Sequence, residues 1–133
     1  MKCFAWRPEK SKVFGIVKRP VAEISLKGLD GNWQPLIVYV DSGADVTVLK
    51  RSFGELLKIP IEKGECADFG GVTGDKIITY IHTLQLKLGD YLFPAKVAFA
   101  VDDRPPNLLG RMDIFHYFAI HFKNKKEMTC FKK

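Results

Sequence analysis

The chain is short of cysteine, of histidine and of long apolar runs, and each shortage closes off a class of function. No stretch of its 133 residues approaches the ~20 consecutive apolar residues of a membrane-spanning helix. Its first ten residues hold no unbroken apolar stretch of the kind a secretory leader carries. A cytoplasmic protein with no membrane partner is therefore expected. Cys3, Cys66 and Cys130 form no Cys-x-x-Cys pair and are odd in number, which excludes a complete disulfide framework within one chain. Reduced thiols, buried or incidental rather than nucleophilic, are the expectation. His82, His116 and His121 have no metal-ligand spacing, so neither a metal nor any other cofactor is expected.

The apolar content of 47% and charged content of 27% are those of an ordinary globular domain, and the length suits one domain with a real core. A formal net charge of +6 raises the question of nucleic acid. The basic residues are dispersed, however. Their one dense run, Lys123-Asn124-Lys125-Lys126, reads as a hairpin turn, and Lys132-Lys133 is a terminus. A solvated surface is the better reading, with no nucleic-acid partner. Two short motifs mislead. Asp68-Phe69-Gly70 spells the kinase metal-binding triplet with no catalytic-loop signature before it. The glycine-rich run at 70–76 breaks phosphate-loop spacing, with Asp75 before the lysine and Ile77 where Ser or Thr should stand.

The informative run is Asp41-Ser42-Gly43-Ala44-Asp45, entered through Leu36-Ile37-Val38-Tyr39-Val40 and left through Val46-Thr47-Val48-Leu49. A carboxylate at the end of a buried strand costs several kcal/mol unless it is hydrogen-bonded or shares a proton. Gly43 lets the backbone turn sharply and approach whatever lies above the acid. Ser42 adds a hydroxyl that can lock the loop. Chemistry belongs here.

This run resembles the active-site motif of aspartic peptidases, apolar-apolar-Asp-Ser/Thr-Gly-Ala. Two further motifs follow in order. Phe69-Gly70-Gly71-Val72-Thr73-Gly74 is similar to the flap tip of the retropepsin family, and Asn107-Leu108-Leu109-Gly110-Arg111-Met112-Asp113 resembles its second signature. Together the motifs span residues 20–132. The resemblance implies an all-β, closed retropepsin-like acid-protease barrel with one or two short helices, a flap hairpin and a homodimeric assembly. It assigns residues 20–133 to the peptidase domain. Residues 1–19 match no element of the family; as an N-terminal extension they add a strand, regulate, or form a removable leader.

The chain has a single Asp-Ser/Thr-Gly, whereas aspartic-peptidase chemistry needs two carboxyl groups about 3 Å apart sharing one proton. The second must come from an identical subunit, which places Asp41 of each chain at a two-fold axis. A single-chain site would instead have to recruit a second acid such as Asp102 or Asp113. By motif position, Ser42 resembles the hydroxyl that bonds across the axis, and Gly43 the residue whose carbonyl contacts substrate. Ala44 completes the loop, while Asp45 and Arg111 resemble a bracing ion pair. Substrate contacts are implied for Gly43, Val48, Gly71, Val72, Thr73, Pro106 and Leu108. The expected activity is endopeptidic hydrolysis of extended polypeptides at apolar residues. A peptide-binding or assembly module on the same fold is the alternative, which the intact acid motif disfavours.

Element by element, β-type runs dominate. Residues 13–17 and 21–26 read as short strands, and an Asp30-Gly31 turn doubles the chain back into residues 36–40. Ser52 is positioned to cap a short helix over 53–57 that Pro60 ends. The flap arms are 66–69 and 76–81, followed by a hairpin around Gly89-Asp90 and a loop at 102–106. Residues 111–117 read as a helix that offers Met112, Phe115 and Tyr117 to the core, before a last hairpin of 118–122 and 128–131.

Overall fold

Alternation of buried and exposed residues builds most of the strands. In Val21–Lys27 (β4), Ala22, Ile24 and Leu26 turn inward while Glu23 and Lys27 face water. The computed structural model describes residues 1–70 and 76–133. Its remaining elements are Lys2–Ala5 (β1), Arg7–Ser11 (β2), Gly15–Arg19 (β3), Trp33–Val40 (β5), Thr47–Leu49 (β6), Arg51–Leu56 (α1), Glu65–Gly70 (β7), Lys76–Leu88 (β8), Tyr91–Ala100 (β9), Leu108–Leu109 (β10), Ala119–Lys123 (β11) and Met128–Lys132 (β12).

Six strands close on themselves in the order β4-β5-β10-β6-β9-β8, with the ring completed where Ser25 and Leu26 pair with Lys87 and Leu86. Strand β8 is long enough to serve twice. Its C-terminal part belongs to the barrel, and its N-terminal part pairs with β7 from Glu65↔Ile81 to Gly70↔Lys76. That pair is the flap hairpin. The barrel interior is filled by Leu26, Leu49, Leu86, Val97, Phe99, Leu109 and Ile114, all fully buried.

The chain ends form a second sheet, β1-β12-β11, under the barrel. Phe4, Phe118 and Phe131 meet edge-on there, with ring centroids 5.9 Å apart in each contact with Phe131. Between β1 and β4 in the chain, β2 and β3 make a separate two-stranded hairpin. It is fastened by Tyr39, whose hydroxyl donates to Glu9 at 2.7 and 2.9 Å and accepts from the Arg7 guanidinium at 3.1 Å. The Tyr39 hydroxyl holds the Glu9 carboxyl below the usual range; burial, then the Glu9 carboxylate, pushes the Tyr39 phenol up.

Three expectations are corrected. Residues 111–117 form successive turns rather than a helix, because Asp113 sits in the left-handed region at φ 65° and its carboxylate accepts the Lys96 N–H at 2.9 Å. The core receives Ile114 from this stretch, with the expected Phe115 packed against it and Phe118 following, while Met112 and Tyr117 stay 39% and 45% exposed. Ser52 does not cap α1. The free N–H groups at that end go to distant side chains instead: Lys50 N–H to Asn107 Oδ1 and Ser52 N–H to Asp103 Oδ1, both at 2.9 Å.

The third correction concerns thiols. Cys3 lies opposite Cys130 in the β1–β12 register, and the two are joined as a disulfide; Cys66 alone is free, on the exposed flap arm. An odd count left one bridge available, and strand register supplied it. The bridge spans 127 residues of sequence, so it restrains nearly the whole unfolded chain. Cys3→Ser, or reduction of the native protein, is expected to lower unfolding stability by about 2–5 kcal/mol, whereas Cys66→Ser leaves it unchanged. Denaturant melts with and without reductant measure both.

Candidate active site

The site is built where two segments distant in sequence cross. Strand β5 ends at Val40, and Asp41 follows as the first residue of a tight loop. Strand β10 inserts between β5 and β6, parallel to the first (Leu108↔Tyr39, Leu109↔Val40) and antiparallel to the second (Leu108↔Val48). Asp41 N–H donates to the Leu109 carbonyl at 3.0 Å, and Arg111 and Met112 N–H groups donate to the Ala44 and Asp45 carbonyls at 2.9 Å. The loop is thus held at both ends by one returning strand.

Gly110 is what permits the crossing. A Cβ at this position would overlap the Val46 carbonyl and stand 2.8 Å from the Thr47 nitrogen. Its N–H donates to the buried Thr47 hydroxyl at 3.1 Å. Within the loop, Gly43 N–H donates to Asp41 Oδ1 at 2.9 Å, which fixes the carboxylate's rotamer and leaves Oδ2 for other partners. Arg111 reaches back to Asp45, Nη2 to Oδ1 2.5 Å. Both of those side chains are more than half exposed, so the pair contributes little by itself; its effect is to fasten the loop to the segment after Gly110.

Asp41 opens onto a cleft of about 770 Å³. Gly43, Ala44, Asp45, Val46 and Val48 form its floor, Leu108, Pro106, Pro105 and Arg104 one wall, and Phe69, Ile77 and Lys76 of the flap arms its roof. Of the residues singled out from sequence, Asp41, Gly43, Ala44, Asp45, Val48, Pro106 and Leu108 line the cleft. Arg111 stands behind it, and Ser42 is exposed at the loop's tip. Gly71, Val72 and Thr73 lie outside the described residues.

Asp102 and Asp113, the acids a single-chain site would need, do not line the cleft. Asp102 pairs with Arg104, whose side chain and N–H hold its carboxyl below the usual range. Asp113 is engaged by Lys96. Sequence reasoning placed Phe69 and Asn107 in motifs but gave no site role to them, to Thr47 or to Ile77. Thr47 carried a signal, a hydroxyl in an otherwise apolar run. Asn107 carried a weaker one; its carbonyl accepts the Tyr39 N–H at 2.9 Å while its side chain serves α1.

This arrangement of barrel, inserted β10 and flap is similar to the EIAV protease in complex with the inhibitor HBY-793: TM-score 0.54, 26% identity, 77% of this chain and 88% of that one. In sequence, 100 residues are 33% identical to DNA damage-inducible protein 1 of the yeast Kluyveromyces lactis, covering 72% of this chain. The chain has the retropepsin-like fold. It spans 24% of the length of the yeast relative. No family model matches the chain.

Because this retropepsin-like barrel has no room for a side chain at position 110, Gly110→Ala is expected to push β10 away from Val46. The expected cost is about 3 kcal/mol, at the upper end for overpacking because the clash is with backbone. Denaturant unfolding measures the loss. Loss of amide protection at Asp41, Ala44 and Arg111 under hydrogen exchange locates it.

Proposed function

We propose that the protein is an aspartic endopeptidase, active as a homodimer, that hydrolyses extended polypeptides at apolar residues. The observation that carries this reading is Asp41: an acid held by Gly43 and the Leu109 carbonyl at the floor of an apolar cleft, one per chain, in a family whose chemistry needs two. Asp41 of the partner subunit supplies the second carboxyl across a two-fold axis. Ser42 hydrogen-bonds across the same axis, and the Asp45–Arg111 pair braces each loop.

In the reacting state the two carboxyl groups share one proton, since both cannot ionise at about 3 Å separation. The ionised member takes a proton from a bound water as its oxygen attacks the scissile carbonyl carbon. The protonated member gives its proton to the carbonyl oxygen. As the tetrahedral intermediate collapses, its hydroxyl returns that proton to the second carboxylate, the first carboxyl gives the water-derived proton to the departing nitrogen, and the C–N bond breaks to leave an amine and a carboxylic acid. No covalent enzyme intermediate forms. Val48, Leu108 and Pro106 on the floor and wall, with Ile77 and Phe69 above, present apolar surface to side chains flanking the bond.

Asp41→Asn keeps the shape of the side chain and removes the ionisable group. It is expected to fold normally and to lose roughly 10²–10⁴-fold in peptide cleavage. Cleavage of a peptide library by the purified variant at a rate near that of the native protein would sink the reading. The native pH–rate profile should be a bell on the acid to near-neutral side, set by two macroscopic values of the pair. Activity that keeps rising above neutral pH would point to other chemistry.

A further inference from the structure

Among the described residues, the tip of the β2–β3 hairpin carries the most exposed large apolar side chains. Val13 and Phe14 are each 79% exposed and Ile16 64%. The turn that displays them is built to hold its shape. Ser11 Oγ accepts the N–H groups of both Val13 and Phe14, at 3.2 and 3.1 Å, and Gly15 closes the turn at φ 72°. At its root the hairpin is equally fixed. Glu9 and Arg7 grip Tyr39, and Lys18 pairs with Glu127 at 2.6 Å. An ordered projection with three large apolar side chains at its end marks an interaction surface.

We infer that this hairpin is an arm that packs its Val13-Phe14-Ile16 tip against a second copy of the chain and helps build the dimeric active site. The inference rests on the dimeric reading above and adds where the partner is gripped. Its basis is position. Tyr39, the hairpin's anchor, lies two residues before Asp41 on the same strand and pairs with Leu108 of the inserted β10. Two residues of strand span about 7 Å. If both copies of Asp41 meet at a two-fold axis, the arm's root lies beside the subunit boundary by necessity.

An exposed apolar side chain also stands beside the Asp41 loop. Met112 is 39% exposed, and its N–H is bonded to the Asp45 carbonyl of the active-site loop. Three side chains alone do not provide the roughly 800 Å² per partner of a stable interface. The arm therefore supplements the contact at the axis. The hairpin also carries Arg7, Lys10, Lys12, Lys18 and Arg19 against Glu9 alone. An anionic lipid surface is the competing occupant on charge; the anchor's place beside Asp41 favours the second copy.

The test uses the triple variant Val13→Ser, Phe14→Ser, Ile16→Thr in the full chain, with dimerisation followed by sedimentation equilibrium. Weakening of the dimer by about tenfold or more, with an unchanged circular-dichroism spectrum, is the expected result. An unchanged dissociation constant overturns the arm while leaving the two-subunit active site intact. A native protein that is monomeric yet cleaves peptides overturns both. Loss of binding to phosphatidylserine vesicles with no change in dimerisation assigns the tip to lipid and overturns the inference. Should the variant fold poorly, Phe14 replaced by photoreactive benzoylphenylalanine gives an independent reading. Light-driven adducts to a second copy near Met112 support the arm, and adducts confined to one chain contradict it.

Discussion

The close approach of Gly110 to the Val46 carbonyl is the contact on which the rest of the site depends. Two short segments, β10 and β6, must lie against each other for the Asp41 loop to be held from below, and only a residue without a Cβ allows the approach. Everything near the acid follows from it. The Leu109 carbonyl meets the Asp41 N–H, the Thr47 hydroxyl satisfies the Gly110 N–H, and Arg111 emerges where it can reach Asp45. The carboxylate's own hydrogen bond, from Gly43, then orients it toward the cleft. A charged group is tolerated here because Asp41 is only half-buried, opens onto the cleft and accepts the Gly43 N–H.

This explains which parts of the protein were legible in its sequence. Asp41 and Gly110 occupy positions where one residue type alone satisfies the chemistry or the backbone, so they leave a readable mark. The flap arms and the Asp30-Gly31 turn are similar cases, with Gly31 at φ 85°. Residues 111–117 were not legible, because their apolar spacing suits a helix or a chain of turns equally. The choice is made by Asp113, whose carboxylate finds the Lys96 N–H on a strand far away in sequence. The start of α1 is settled in the same manner by Asn107 and Asp103, not by the nearby Ser52.

The least legible parts are those that depend on pairing between chain ends. Nothing local to Cys3 or Cys130 announces their bond; it follows from the register of β1 on β12. Likewise, residues 7–19 contain strand-like runs, but they are attached through partners distant in sequence: Tyr39, on the strand leading into the site, and Glu127. Tyr39 links the hairpin of residues 7–19 to the strand that leads into the site. Its position means that the hairpin and the Asp41 loop share one strand as a foundation.

The central claim, that one active site is made from two chains, is tested most directly by mixing. Native protein is combined with an equal amount of Asp41→Asn, and subunit exchange is verified by mass-tagging one partner. Random exchange leaves about a quarter of the dimers with both acids, so activity per total chain should fall to about a quarter of the unmixed value. Retention of about half, with exchange demonstrated, would mean that each chain cleaves alone and would contradict the account.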